Sequence, residues 1–61
     1  LNVGDLVSYL DRYCGIVVAI DEPNPHHASA ATGVVVIWVD TGFRSWEFTN
    51  QLEVVSEYKK G

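Results

Sequence analysis

The sequence predicts a small all-β domain, five short strands curled into a barrel, on three observations. The chain has 61 residues, which leaves room for one domain, residues 1–61, and no second one. Four of its five glycines, Gly4, Gly15, Gly33 and Gly42, stand just ahead of short runs rich in Val, Ile and aromatic side chains. Such side chains pack well on a pleated surface and lose rotamer freedom in a helix. Two of the runs, Ile16-Val17-Val18-Ala19-Ile20 and Val34-Val35-Val36-Ile37-Trp38-Val39, are apolar at successive positions. A flat sheet open on one face would leave half of each in water, so the sheet is expected to curl and close.

Taken in order, residues 6–10 form the first strand and 16–20 the second. Residues 21–32 contain Pro23 and Pro25, no periodicity and no large apolar side chain. They read as a long loop, mobile at its tip, because each proline restricts itself and its predecessor and the small residues beyond have nothing to bury. Residues 34–39 form the third strand. Asp40-Thr41-Gly42 is a tight turn, since Gly accepts the positive φ that hairpin connections require. Residues 43–48 pair back antiparallel as the fourth strand. Period-two alternation groups Trp46 and Phe48 with Arg44 on one side and Phe43, Ser45 and Glu47 on the other. Trp46 and Phe48 are therefore the expected core residues there. Thr49-Asn50-Gln51 suggests a turn of 3₁₀ helix, and residues 53–56 a last strand.

Composition narrows the function classes. A domain this short buries only about 60 % of its unfolded surface, so function is expected on a shallow surface rather than in a deep catalytic cleft. Eight Asp and Glu oppose four Lys and Arg, for a net charge of −4. Arg12 and Arg44 are isolated, and Lys59-Lys60 is the one cationic pair. That is not the clustered basic footprint of a phosphate-binding surface, so nucleic acid is not the expected partner and a charged partner should be basic. Cys14 is the single cysteine, which excludes an internal disulfide and suits a reducing, cytoplasmic compartment. No apolar run approaches the roughly 20 residues a bilayer demands, and no signal-peptide pattern precedes the first strand. No membrane association is expected.

The order Val3-Gly4-Asp5-Leu6-Val7, Gly15-Ile16-Val17, Val36-Ile37-Trp38-Val39-Asp40-x-Gly42, Ser45-Trp46-Glu47 and Leu52-Glu53-Val54-Val55 resembles the SH3-like small barrels. Its proportions are of the Tudor and KOW types, and its wording is similar to small proteins of tailed bacteriophages, marine myoviruses among them. The resemblance spans nearly the whole chain. It implies a five-stranded barrel in which residues 11–14 join strands one and two, with the host cytoplasm or a virion as the setting. It supports fold better than function, because such barrels host many activities.

Three constellations invite chemistry. Asp40-Thr41-Gly42 matches the aspartic protease signature, but only 19 residues follow it and Phe43 stands where that family has Ser or Ala; Asp40 reads as a turn residue. Cys14 with His26 or His27 could form a thiolate and base pair, yet nothing in the sequence places them together, and a lone Cys at a strand start is expected to be a small buried hydrophobe. Adjacent histidines on an extended chain point apart, so no metal site is expected. The aromatics carry more. Tyr13, in the first loop, and Phe43, beside the hairpin turn, fall in regions that meet at one end of a Tudor-type barrel, and Asp11 and Asp40 would suit a cationic ligand. Tyr13, Phe43, Asp11 and Asp40 are the candidate partner-binding residues.

The functional expectation is a non-catalytic protein-interaction or assembly module without cofactors. Its partner would be a second copy of the chain, in a homo-oligomer, or a virion or host protein. A KOW-like nucleic-acid binder and a Tudor-like binder of cationic or methylated peptides are the alternatives.

Overall fold

The computed structural model describes residues 1–25 and 32–56. The described chain is all-β: β1 (Leu6–Tyr9), β2 (Tyr13–Pro23), β3 (Thr32–Trp38), β4 (Arg44–Glu47) and β5 (Glu53–Ser56). They form one antiparallel sheet in the order β4-β3-β2-β1-β5. A 3₁₀ turn, Thr49–Gln51, precedes the last strand, as expected from its sequence.

Register sets the two faces. Val7 pairs with Gly15, Gly15 with Trp38, Val17 with Val36, Val36 with Ser45 and Val34 with Glu47. Paired residues share a face, so these side chains line the inner side of the sheet. Val7, Val17, Val34 and Val36 are its buried core, with Leu1, Trp38 and Leu52 packed against them. The other parity puts Leu6, Ile16, Ile37 and Arg44 in one row across the outer side. The N-terminal turn is pinned to this core. Val17 N–H donates to the Asp5 carbonyl at 3.0 Å and Gly4 N–H to the Val17 carbonyl at 2.8 Å, while the buried Asp5 carboxylate accepts Asn2 N–H at 2.8 Å.

Several expectations need correction. The cylinder does not close: among the described residues β4 and β5 remain the two edges. Each has four residues, and β5 spends its pairing on β1. The first connection is shorter than 11–14. Leu10 and Asp11 both take positive φ, 55° and 53°, and Arg12 N–H reaches the Tyr9 carbonyl at 3.1 Å. Two successive left-handed residues make a turn whose twist matches the flanking strands. Tyr13 and Cys14 therefore belong to β2, not to a loop. At its other end β2 runs past Ile20 to Pro23, because register shifts between Val17 and Ala19 and between Ala19 and Glu22, with Asp21 at φ 56°, let the strand bend and resume pairing. Glu22 then opposes Gly33 and Pro23 opposes Thr32. A bulge of this kind accommodates an aspartate and a strand-end proline within a sheet. The expected loop tip, with His26 and His27, lies outside the described residues, as do Tyr58, Lys59 and Lys60.

The β3–β4 hairpin pairs antiparallel as expected, but its connection spans residues 39–43 rather than 40–42, and β4 stops at Glu47. Trp38 N–H donates to the Phe43 carbonyl at 2.9 Å and Gly42 N–H, at φ 73°, to the Trp38 carbonyl at 2.7 Å, with Asp40 in the turn between. The face assigned to β4 is not as expected. Trp46 and Phe48 point away from the valine core, because Val34 opposite Glu47 and Val36 opposite Ser45 put the polar pair inside. Trp46 is half-buried on the outer side, where its ring covers Gly33, its Nε1–H donates to the Glu22 carbonyl at 3.0 Å, and Phe48 packs edge-on to it at 4.7 Å. Phe48 remains 40 % exposed.

Candidate functional site

The inner face changes character along its length. Toward the β1–β2 turn the valines give way to Tyr9, Tyr13 and Trp38, which belong to the same inner-face rows through the Tyr9–Tyr13 and Gly15–Trp38 pairs. Their ring centroids stand 6.4 Å (Tyr9 to Tyr13), 6.4 Å (Tyr9 to Trp38) and 6.5 Å (Tyr13 to Trp38) apart. The indole is inclined at 66° to one phenol ring and 75° to the other, while the phenol planes differ by 32°. The indole thus stands across two more nearly parallel rings. They border a cavity of about 330 Å³ completed by Cys14, Asp40, Thr41 and Glu47.

Gly15 makes room for this arrangement. A Cβ there would lie 3.0 Å from Cε3 of Trp38 and 2.9 Å from the Ile37 carbonyl oxygen, and would collide with Val36. The bare backbone lets the indole settle against β2, an aromatic covering a glycine across the ladder. A hydrogen-bond relay holds the ring's other edge: Trp38 Nε1–H donates to Ser45 Oγ at 2.6 Å, and the Ser45 hydroxyl donates to Glu47 Oε2 at 2.7 Å. Around the turn, Thr41 Oγ1 accepts Phe43 N–H at 3.2 Å.

Of the four residues expected to bind a partner, two meet here. Tyr13, 47 % exposed, and Asp40 both line the cavity. Phe43 is 73 % exposed beside the turn and does not line it, and neither does the exposed Asp11. Tyr9, Trp38 and Glu47 were missed. Strand alternation counted from Tyr13 through Gly15 would have placed Tyr9 and Trp38 beside it once the pairing was known. Cys14 is exposed rather than buried, since its neighbours Tyr13 and Gly15 take the inner face. Arg12 places its guanidinium carbon 6.0 Å from the Tyr13 ring centroid, so a cation already borders the aromatic group.

Among the described residues no group of three or more His, Cys, Asp or Glu is arranged to hold a metal ion. No described helix is long and apolar enough to cross a membrane. Comparison with family models, with curated proteins and with solved structures gives no match.

Proposed function

We propose that this chain is a non-catalytic binding module whose inner-face cavity receives a cationic side chain of a protein partner. One observation carries the reading: three aromatic rings and two carboxylate residues, Asp40 and Glu47, border a single cavity. Ring faces carry negative electrostatic potential and attract an ammonium or guanidinium within about 6 Å of the centroid. Carboxylates add long-range attraction for the same sign of charge and repel phosphate. The net charge of −4 acts in the same direction, which favours a basic peptide over nucleic acid. The strand order and the 3₁₀ turn before β5 also support the SH3-like reading, in which the Tudor type offers the nearest functional analogy.

A bare cation tests this with the fewest assumptions. A cation–π contact contributes about 0.5–2 kcal/mol, so a free quaternary ammonium making two or three should bind with Kd in the millimolar range, near −4 kcal/mol. In a ¹H–¹⁵N NMR titration, tetramethylammonium chloride should move the Trp38 indole resonance and the amides of Tyr9, Tyr13 and residues 38–47. Sodium chloride at equal ionic strength should not. Shifts spread evenly over the sheet, or none at 50-fold excess over that expected Kd, would refute the reading. Binding of DNA or RNA that weakens steeply with salt would replace it with the KOW-like alternative.

A further inference from the structure

Ser45 does not line the cavity, yet it touches two residues that do. Its place follows from the ladder: Ser45 opposes Val36, so Trp38 two residues along β3 is its diagonal neighbour, and Glu47 is the next inward residue on β4. An indole N–H donates, a carboxylate accepts, and a hydroxyl does both, so one serine can bridge the two and tie each to the same point on β4. The Ser45 hydroxyl does so, with contacts of 2.6 Å to Trp38 Nε1 and 2.7 Å to Glu47 Oε2. The second is charge-assisted, the stronger kind of hydrogen bond.

We propose that Ser45 is the positioning residue of the cavity, a single hydroxyl that fixes both an aromatic wall and a carboxylate before any ligand arrives. The proposal rests on the cation-binding reading above. Glu carries three side-chain torsions and Trp two, and ordering such side chains on binding reduces affinity. With Ser45 in place that ordering is already done in the free protein. Ligands that gain from it are compact cations able to meet the Trp38 face and the Glu47 charge together.

The test uses tetramethylammonium chloride and the full chain, native and with Ser45→Ala or Ser45→Thr. Ser45→Ala should bind roughly three- to tenfold more weakly, the expected effect of ordering one further side chain in the complex. Ser45→Thr keeps the hydroxyl and should restore binding to within about twofold of native. In the ligand-free Ser45→Ala protein the Trp38 indole N–H resonance should shift and exchange faster with solvent. The Trp46 indole, held by the Glu22 carbonyl on the opposite face, should stay in place and so report that the sheet is intact. Native and Ser45→Ala proteins that bind equally, with the Trp38 indole unmoved, would overturn the assignment of Ser45 while leaving the cation reading standing. A native protein that does not bind the cation would overturn that reading and the role of Ser45 in ligand binding. The ligand-free indole resonances would then decide separately whether the hydroxyl holds the ring.

Discussion

Replacing Gly15 with alanine should both destabilise the domain and disturb its cavity, because the added methyl has nowhere to go. Its Cβ would stand 2.9 Å from the Ile37 carbonyl oxygen and 3.0 Å from Trp38 Cε3, and would run into Val36 Cγ1. The carbonyl belongs to the β2–β3 ladder and Val36 is fully buried, so neither can retreat without moving the strands. Overpacking of this kind costs about 1–3 kcal/mol. At about 0.05–0.15 kcal/mol per residue, a chain of 61 residues has a total stability of only about 3–9 kcal/mol. The substitution therefore removes a large share of it. With roughly 4–8 °C per kcal/mol in a domain of this size, Tm should fall by about 5–20 °C in a thermal melt followed by near-ultraviolet circular dichroism. Gly42→Ala is the control: Gly42 also has a reason to be glycine, φ 73°, but nothing lies within 4 Å of its added methyl. Its cost is the left-handed backbone alone, about 1–2 kcal/mol. If Gly15→Ala melts within about 2 °C of native, a shift worth less than ~0.5 kcal/mol, the close packing of Trp38 on β2 is not what holds the indole.

Four further outcomes are expected. Tyr13→Ala should weaken tetramethylammonium binding about two- to fivefold, the worth of one partly exposed cation–π contact, with little change in urea midpoint because the ring is 47 % exposed. Arg12→Gln should tighten the same binding about twofold, since it removes a competing cation 6.0 Å from the Tyr13 centroid; calorimetry on both variants checks the opposite signs. Trp46→Ala should cost about 2–4 kcal/mol by urea denaturation and, once the folded fraction is allowed for, leave cation affinity unchanged. Replacing Leu10-Asp11 by Asn-Gly should raise stability by about 1 kcal/mol in the same assay, because an exposed leucine now holds φ 55° there.

Glycine spacing and β-branched runs made the strands, the β3–β4 hairpin and the 3₁₀ turn legible in the sequence. Two features hid the rest. Leu10-Asp11 forms a tight turn without a glycine, so the sequence alone makes the first connection look longer than it is and places Tyr13 in a loop. The apolar continuity of β2 and β3 announced burial but not which parity faces inward, and residue size then proved a poor guide on β4. Its large aromatics, Trp46 and Phe48, are outside, while the polar Ser45 and Glu47 are inside because Trp38 gives that hydroxyl and carboxylate a chain of hydrogen bonds. Of the three rings and two carboxylates of the candidate site, two, Tyr13 and Asp40, are visible from residue chemistry near turns. Tyr9, Trp38 and Glu47 depend on register, which a single sequence without a decisive alternation does not reveal.

The open margins of the sheet bear on how the protein behaves at high concentration. Among the described residues β4 and β5 are the edges of the sheet, and an edge strand is the usual template for stacking into fibrils. Each spans four residues, too short for the six- or seven-residue segments that zip into amyloid. Glu47 closes one and Glu53 begins the other, and a charged residue on a short edge strand is a common device against edge-to-edge pairing.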